Sequence, residues 1–445
     1  MPVKATDVKL LQDYIEKGWE FHIIDMLHDL KPVEIAELIE ALDEESRGKF
    51  FVLLDVDTAS EVIAELSSES REDVIDGMSD KDLARIVQDM DSDDAADLVG
   101  DLHAERAERV LAELSPEDSY DIKSLLKYPE DTAGGIMQRE LISAHPNATV
   151  DEVIAQIRRL HTEINNIYMV YVVDNRRALV GTVPLVNLIL SKPDSTMAQI
   201  MDLDPLTVPV AMDQEQVANL FKRYDSMVLP VVDEQGFLLG RITVDDIVDI
   251  MEEEATEDMF MLAGAEEDLL SSSVVRNAST RIPWLFVSWM GGVLASFLIR
   301  EFESTISRVV GLAAFMPIIL GMGGNVGTQT VALIVRGIAT GASSMNFRSI
   351  VLKQMGVGVL LGAMFAVMLG LIAFFLYPDE KRISIVVALA ITISMSLASF
   401  MGTFLPFLFY KLDKDPAIAS GPFVTTTMDI LGVTAYLGIA GLLLF

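Results

Sequence analysis

The sequence lacks cysteine altogether and contains few histidines. With no cysteine among its 445 residues, the chain can form neither disulfide bonds nor thiolate metal sites. All five histidines lie in the first 270 residues, so the rest of the chain has no imidazole for a transition metal. Any metal site in that second part must use oxygen ligands, which favour Mg²⁺, Ca²⁺ or Mn²⁺.

Basic side chains are scarce in the first part of the chain. Residues 1–270 carry 60 acidic and 22 basic side chains, a net charge of −38, whereas residues 271–445 carry seven acidic and eleven basic ones. Such an acidic part repels nucleic acid and anionic lipid, so cations are its natural partners. We also find neither a nucleophile–base pair nor a phosphate-binding loop. The sequence therefore predicts neither an enzyme nor a nucleic-acid-binding protein.

Residues 30–114 contain a repeat of twelve residues. Each unit begins with leucine or methionine, from Leu30 to Leu114, and an apolar pair follows eight and nine residues later in the first seven units. Each unit is long enough for one short helix and a turn. A fixed period of this kind is typical of stacked helices. We therefore predict an acidic, all-α superhelical N domain over residues 1–130.

A second internal repeat lies between the acidic repeats and the apolar half. The run 172–189 resembles the run 231–248, and each copy reads as β-rich segments with a turn, followed by a helix. This pattern resembles a tandem pair of CBS domains, which usually fold against each other as one module. The resemblance implies an α/β tandem CBS pair over residues 131–254, of a kind that often senses adenosine ligands.

A CBS copy that holds ribose typically ends in the pattern G-x-x-T/S-x-x-D. The second copy has this pattern, which places Thr243 and Asp246 at the nucleotide. The first copy has Pro184 and Asn187 in the corresponding places. The resemblance therefore implies an ATP site that is degraded in one of the two copies.

Five apolar stretches follow Arg281, and each is long enough to cross about 30 Å of hydrocarbon. They lie at approximately 283–299, 309–335, 351–376, 384–410 and 417–444. We predict a connecting helix and linker over 255–281 and a five-helix transmembrane domain over 282–445, in contact with membrane lipid. With the N-terminus inside, seven basic residues flank the inner ends against four outside. This balance favours a multi-domain, multi-pass protein of the cytoplasmic membrane with a cytoplasmic N domain.

The last apolar stretch carries a carboxylate, Asp429. From a span that begins near Ala417, we expect Asp429 about 18 Å into the helix and near mid-membrane, with Gly421-Pro422 interrupting the helix before it. A charge at that depth is expensive and is usually kept for an ion or proton pathway. The alternative is a structural acid paired with an arginine, but no basic residue lies deep in any span. We therefore predict an ion or proton site at Asp429.

The second apolar stretch contains FMPIILGMGGNVGTQT, residues 315–330. Its glycines, with Gly324 among them, permit close approach of another helix. Asn325 and Gln329 lie four apart on one helical face. Glycines alone would indicate a packing seam, but hydrocarbon leaves paired amides unsatisfied. A wet path along this face explains the amides better.

The acidic run DDIVDIMEEEATED, residues 245–258, reads as a helix with like charges on shared faces. Asp246, Asp249 and Glu257 lie on one of these faces. Like charges at this spacing destabilise a helix by about 0.2–0.5 kcal/mol per pair. The run is either a solvated face or a divalent-cation site that relieves the repulsion, and the sequence leaves both interpretations open.

Three separate motifs together resemble the MgtE family of magnesium channels. They are PIILGMGGNVGTQ in the second apolar stretch, EEEATEDM in the acidic run, and DPAIASGPFVTTTMD at the start of the last stretch. The resemblance covers nearly the whole chain. It implies a homodimer with the pore at the dimer interface, lined by the second and fifth spans. It also implies that the protein conducts Mg²⁺ into the cell and that cytosolic Mg²⁺ closes the pore.

The resemblance further implies which side chains bind Mg²⁺. The pore carboxylate falls on Asp429, whose two copies in a dimer would bind hydrated Mg²⁺, and another acid of the family falls on Asp415. The regulatory sites would fall on Glu61, Asp93, Asp97, Glu215, Asp225, Asp246, Asp249, Glu254, Glu257 and Asp258. One aspartate per chain supplies a pair only if a two-fold axis passes through the pore. Mg²⁺ dehydrates reluctantly, so a pair acting through water suits it.

Two other functions compete with this one. In a proton- or sodium-coupled secondary transporter of divalent cations, Asp429 would be the coupling site. A membrane-anchored Mg²⁺ sensor that transports nothing would need neither Asn325 nor Asp429 in the bilayer. A test of Mg²⁺ transport with and without an imposed proton or sodium gradient distinguishes the three functions.

Overall fold

The computed structural model of the chain describes residues 5–27, 30–160, 164, 166–263, 274–339, 347–412, 414–419 and 421–445. These residues divide into two compact units, within Met1–Met251 and within Glu252–Phe445. Residues 264–273 of the predicted linker lie outside the described residues.

Short helices form the first part of the first unit, as the twelve-residue period predicts. They are α1 (Ala5–Lys17), α2 (Glu20–Leu27), α3 (Pro32–Glu40), α4 (Glu44–Phe51), α5 (Val56–Ala64), α6 (Ser68–Asp76), α7 (Asp80–Asp89), α8 (Ser92–Gly100), α9 (Ala104–Glu113) and α10 (Pro116–Leu125). From α3 onward each repeat forms one helix, and its apolar pair is buried, as at Phe50 and Phe51 or Val62 and Ile63. Helices two apart in sequence pack together. The predicted superhelical N domain is therefore confirmed.

The repeat also supplies the residues that begin its helices. The N-cap positions of α4 to α8 and α10 are Asp43, Asp55, Ser67, Ser79, Asp91 and Ser115. The side chains of Asp43 and Asp55 accept hydrogen bonds from backbone N–H groups of the following turn, which satisfies otherwise unpaired donors. Asp91 caps α8 by position only, because its side chain makes no such bond.

Two small α/β modules complete the first unit. The first has β1 (Ile142–Ala144), α11 (Val150–Leu160), β2 (Met169–Val173), β3 (Leu179–Pro184) and α12 (Leu185–Leu190). After α13 (Met197–Ile200), the second has β4 (Val208–Pro209), α14 (Gln214–Tyr224), β5 (Val228–Val232), β6 (Leu238–Thr243) and α15 (Val244–Ala263). In each module the middle strand pairs parallel with the first strand and antiparallel with the last. The predicted tandem CBS pair is confirmed.

The two modules meet through equivalent turns. The backbone N–H of Leu179 donates to the carbonyl of Gly236 at 3.0 Å, and that of Leu238 donates to the carbonyl of Arg177 at 3.1 Å. Arg177 and Gly236 have φ values of 67° and 83°. Only glycine adopts such values without strain. The reciprocal bonds give the pair an approximate two-fold relation.

Long apolar helices make up most of the second unit. After the C-terminal part of α15 come α16 (Val274–Glu301), the short α17 (Glu303–Arg308), α18 (Gly311–Ala339), α19 (Phe347–Leu376), α20 (Arg382–Lys411) and α21 (Gly421–Leu444). All except α15 and α17 are long and apolar enough to cross a membrane, so the five predicted spans are confirmed. The Tyr436 hydroxyl donates to the carbonyl of Leu312 at 2.8 Å, which joins α21 to α18 inside the bundle.

The start of the last span differs from the prediction. Pro416–Ala419 forms a 3₁₀ helix, and α21 begins at Gly421. Gly421-Pro422 therefore starts this helix and does not interrupt it, because proline in the first turn lacks only an N–H that would be unpaired anyway. Asp429 lies eight residues along a helix of 24, about 12 Å from its start and not at its middle.

Candidate functional site

Helices α18 and α21 pack closely through glycines. A Cβ atom placed on Gly327 would lie 2.7 Å from Val424 Cγ1 and 3.4 Å from Met428 Cγ, closer than real side chains tolerate in the first case. At Gly324 the nearest atom, Thr425 Cγ2, would be 3.8 Å away, an ordinary contact. The closest approach therefore falls at Gly327, one turn beyond the predicted Gly324.

Asp429 lies beside this seam. Gly432 faces Leu320 and Gly327 faces Met428, so the two helices run antiparallel. Asp429 lies between these two contacts along α21, which places it level with the Gly323-Gly324 turn of α18. Among the described residues no basic side chain forms an ion pair with Asp429, and its side chain is half-buried. A structural pair with arginine, the alternative interpretation of this acid, therefore has no support in the described part of the chain.

The predicted amides lie on an open face of α18. Asn325 and Gln329 are both exposed in the single chain, one turn apart, and Gly321 continues the same face. Amides in hydrocarbon would lose their hydrogen bonds to water at a cost of several kcal/mol each. This face therefore needs a water-filled path or a second chain in front of it.

The hydroxyls before Asp429 have local partners. Thr425 Oγ1 donates to the carbonyl of Gly421, and Thr427 Oγ1 donates to that of Phe423, both at 2.7 Å. Thr426 packs against Gly291 of α16. The hydroxyls of Thr425 and Thr427 are therefore already bonded to backbone carbonyls of their own helix.

The seam makes a testable prediction about packing. Gly327→Leu should lower the free energy of unfolding of the membrane unit by about 1–3 kcal/mol, because the added side chain overpacks the contact with Val424. Gly337→Leu is the matched control on the same helix, since no atom lies within 4 Å of a Cβ at Gly337 and this residue lies off the face of Asn325 and Gln329. Thermal unfolding in detergent would measure both. Equal melting temperatures for the two variants would contradict the packing assignment.

A cluster of carboxylates lies where helix α8 meets the second CBS module. It contains Asp91, Asp93, Asp94, Asp245 and Asp246, which act on one another electrostatically. Three of the predicted acids each raise the pKa of a neighbouring acid through their negative charge. These pairs are Asp97 with Asp94, Asp249 with Glu65, and Glu61 with Asp91. The structure thus brings together two distant segments of the chain that the sequence predicted as ion ligands.

Asp93 is the most constrained member of this cluster. Its side chain is only 7% exposed, and the Oδ1 atom has no hydrogen-bond partner among the described atoms. Burial and then the charges of Asp94, Asp246 and Asp91 raise the pKa of Asp93 well above its ordinary value. An unpaired buried carboxylate is costly. The favourable charge interaction at a helix N-terminus could by itself explain an aspartate at position 93. It does not provide a hydrogen-bond partner for the Oδ1 atom.

The pKa values of two neighbours of Asp93, Asp94 and Asp246, are also raised. Close packing and then the charges of Asp246 and Asp91 raise the pKa of Asp94 to about 7, although Asp94 opens to a cleft of about 910 Å³. Burial raises the pKa of Asp246 to about 6, against the opposing hydrogen bond from Thr243. A cation between these groups would relieve both the desolvation and the repulsion.

A second cluster of acids lies in the membrane unit, at the end of α15. Burial and then the charges of Asp415, Glu254 and Glu257 raise the pKa of Asp258 to about 6. Asp415 accepts a hydrogen bond from the backbone N–H of Ala417 at 2.7 Å. A Cβ on Gly421 would lie 3.1 Å from the carbonyl of Leu262, so the end of α15 reaches the start of α21. The four predicted acids of this region therefore lie together beside the last span.

The remaining predicted acids lie apart from each other. Glu215 is in the first turn of α14, whereas Asp225 is the C-cap of the same helix, with φ of 50°. Ten residues of helix separate them by about 15 Å. These two side chains therefore cannot share one ion within a single chain.

The predicted nucleotide residues are hydrogen-bonded to each other. Thr243 Oγ1 donates to Asp246 Oδ2 at 2.6 Å, and Gln138 Nε2 donates to the same oxygen at 3.3 Å. Asp246 thus belongs both to the predicted ribose site and to the acidic cluster. A nucleotide bound at the ribose site would therefore change the affinity of the acidic cluster for a cation, and a bound cation would change the affinity for the nucleotide.

The carboxylates fit hydrated Mg²⁺ better than a dehydrated ion. Within the described ranges no three His, Cys, Asp or Glu side chains converge as direct ligands of one metal ion. Mg²⁺ usually keeps several of its waters and binds through one or two carboxylates. Asp93 with Asp246, and Asp258 with Asp415, could hold such an ion through its waters.

Sequence reasoning missed three members of the first cluster, Asp91, Asp94 and Asp245. It also missed Glu140 and Arg241, whose charges act on Asp91. The N-cap period that runs through Asp43 and Asp55 would have placed Asp91 at the start of α8, but no periodicity reveals the contact with the CBS pair.

Comparison with known protein families supports the same division of the chain. The family model of the MgtE intracellular N domain matches residues 30–131, and the CBS domain model matches residues 133–191 and 197–253. The MgtE family model, described as a divalent cation transporter, matches residues 316–439.

Curated relatives match most of the chain. The magnesium transporter MgtE of Thermus thermophilus is 38% identical over 335 residues, which is 74% of this chain and 74% of that protein. The magnesium transporter MgtE of Bacillus subtilis is 30% identical over 419 residues, 93% of this chain and 92% of that protein. Both matches cover more than two thirds of the relatives.

Two solved structures resemble the cytosolic part. A crystal structure of the soluble part of a magnesium transporter has a TM-score of 0.51 and 31% identity, and covers 56% of this chain and 98% of that one. The cytosolic domain of the Mg²⁺ channel MgtE in complex with ATP has a TM-score of 0.52 and 33% identity, covering 55% and 99%. From the N domain through the CBS pair to the five spans, the chain belongs to the MgtE family of magnesium transporters.

Proposed function

We propose that the protein is a Mg²⁺-selective channel for magnesium uptake, which cytosolic Mg²⁺ closes. The observation that carries the proposal is Asp429, a carboxylate beside the tight α18–α21 seam that forms no ion pair with a basic side chain in the described part of the chain. Asn325 and Gln329 would add uncharged oxygens from the exposed face of α18. Carboxylates acting through water suit an ion that gives up its hydration shell reluctantly.

The pore requires two chains in this proposal. One chain offers one carboxylate at this level, and a two-fold axis supplies the second. The exposed amide face of α18 supports such an axis. So does a stripe of exposed apolar side chains on α15, where Val248, Met251 and Met259 are 58%, 42% and 72% exposed. A second copy of the chain would cover both surfaces.

The acidic cluster at α8 is the proposed sensor. Without Mg²⁺, the carboxylates of α8 and α15 repel each other within a Debye length of about 8 Å at physiological salt. Mg²⁺ held between Asp93 or Asp97 and Asp246 or Asp249 would keep the N domain on the CBS pair. Monovalent ions screen charge but do not bridge two carboxylates, so Na⁺ at about 0.15 M should not replace Mg²⁺.

The second cluster is the proposed link to the pore. Glu254, Glu257 and Asp258 lie on the end of α15, and Asp415 lies just before the last span. Mg²⁺ bound among them would hold the end of α15 at the start of α21, which carries Asp429. We propose that this holds the channel closed.

ATP is proposed as a second ligand of the cytosolic part. The support is the Thr243–Asp246 pair, together with the solved cytosolic domain of a relative in complex with ATP. Because Asp246 would serve both ligands, ATP should change the Mg²⁺ concentration needed for closure. Calorimetric titration with and without Mg²⁺ would measure this coupling, which must be reciprocal.

Flux into proteoliposomes distinguishes the channel from its rivals. Purified protein should carry Mg²⁺ down its concentration gradient with no pH or Na⁺ gradient present, as reported by a trapped Mg²⁺-sensitive dye. Uptake that needs an imposed proton or sodium gradient would instead indicate a coupled transporter. The absence of uptake under either condition would indicate a sensor that transports nothing.

A further inference from the structure

A buried arginine lies at the junction between the N domain and the two CBS modules. Arg241, on β6, is 3% exposed. Its Nη1 donates to the carbonyl of Asn166, just before β2, at 3.0 Å. Its backbone pairs with Gln138 in both directions, at 2.7 and 2.9 Å. A permanently charged guanidinium at such a position is costly unless acids compensate it.

One carboxylate from a different part of the chain supplies part of that compensation. Asp91, at the start of α8, interacts electrostatically with Arg241 and is also influenced by Glu140 and Asp245. Asp245 accepts a hydrogen bond from Asn166 Nδ2 at 2.8 Å. Asp91 is therefore surrounded by like charges, and Arg241 attracts it.

The same place is where the N domain is tied to the segment before β1. The backbone N–H of Arg139 donates to Ser92 Oγ at 2.8 Å, and Ser92 Oγ donates to Glu140 Oε2 at 2.8 Å. The Arg139 side chain is occupied by Asp121, at 3.2 Å. Gln138, the partner of Arg241, is the residue before Arg139. The backbone of Arg241 thus pairs with the chain one residue away from the direct contact between the domains.

We propose that Arg241 is a built-in cation that holds α8 against the CBS pair before Mg²⁺ binds, and so sets the Mg²⁺ concentration that closes the channel. The second part of this inference rests on the proposed function. Arg241 offsets part of the charge of Asp91, while Asp93, Asp94 and Asp246 still repel one another. Mg²⁺ remains necessary for those groups, and Arg241 lowers the amount required.

Two substitutions separate the charge of Arg241 from its hydrogen bond. Arg241→Gln keeps a donor for the Asn166 carbonyl but removes the charge, whereas Arg241→Lys keeps the charge. Trypsin cleavage of the full-length protein between Lys127 and Arg139 reports undocking of the N domain. The rate of cleavage follows the open population when closing is fast.

In EDTA, Arg241→Gln should be cleaved about fivefold faster than the wild type, and its Mg²⁺ midpoint for protection should rise about fivefold. Arg241→Lys should stay near the wild type in both measurements. Asp91→Asn in the Arg241→Gln background should restore part of the protection, because it removes the uncompensated charge. Arg106→Gln is the matched control: this arginine is also largely buried, with Asp76 and Asp80, but lies away from the junction and should leave the midpoint unchanged.

Equal cleavage rates and midpoints for the Gln and Lys variants would overturn the inference. The comparison in EDTA contains no Mg²⁺, so it decides the role of Arg241 even if Mg²⁺ fails to protect the wild type. That failure would instead contradict the proposed sensor.

Discussion

Asp429→Ala should abolish Mg²⁺ uptake while leaving the protein folded and its oligomeric state unchanged. One substitution removes both carboxylates of the proposed pore, and no basic partner is left uncompensated in the described part of the chain. Asp429→Asn should fail as well, because the amide keeps the shape of the side chain but not its charge. Uptake by proteoliposomes and the elution volume in detergent would measure the two effects together.

The control for Asp429 is an acid of the same half outside the spans. Asp379 lies exposed in the turn between α19 and α20, so Asp379→Ala should transport like the wild type. Uptake by Asp429→Asn at the wild-type rate would remove the carboxylate from the mechanism. The exposed amides Asn325 and Gln329 would then be the remaining candidates for the ion path.

Asp93→Asn combined with Asp246→Asn should leave a channel that stays open at Mg²⁺ concentrations that close the wild type. A site that binds only the compact form stabilises it by about 1.4 kcal/mol at tenfold excess of Mg²⁺ over Kd. A complete swing between two states needs about 5.5 kcal/mol, so several such sites must act together. Loss of the most buried site should therefore leave the remaining sites short of complete closure at those concentrations.

The matched control removes the same number of charges elsewhere in the N domain. Glu108 and Glu113 are exposed on α9, and Glu108→Gln with Glu113→Gln should close at the wild-type Mg²⁺ concentration. Closure of the Asp93/Asp246 variant at that same concentration would show that the acidic cluster is a solvated surface.

The parts of the fold that repeat were predictable from the sequence. The twelve-residue period predicted one helix per unit because each unit buries an apolar pair such as Val62 and Ile63. In the same way, the internal sequence similarity predicted the CBS pair, and the length of the apolar stretches predicted the five spans. In each case the pattern reflects burial that is local to one element.

The start of the last span was predicted wrongly, because hydropathy does not mark where a helix begins. The apolar residues from Ala417 continue through a 3₁₀ helix into α21, and the proline at position 422 fits a first turn as well as an interruption. The cap chemistry of Gly421-Pro422 was the better signal. This error placed Asp429 about 6 Å too deep.

The acids of the candidate ion sites could be singled out from the sequence, but not which of them lie together. Like charges along α15 indicated either a solvated face or a cation site, and the family resemblance added candidates on α8. The meeting of Asp93 with Asp246, and of Arg241 with Asp91, depends on how the N domain packs on the CBS pair. That packing follows from contacts such as Ser92 with Glu140, which leave no period in the sequence.

Recording from single channels of the purified protein in a planar bilayer, with Mg²⁺ varied on the side of the N domain, would show whether the protein is a channel that Mg²⁺ closes. We expect a Mg²⁺ current when this side holds little Mg²⁺, and closure as Mg²⁺ there rises to millimolar concentrations. A current that persists unchanged at those concentrations, or no current at any of them, would contradict the proposed function.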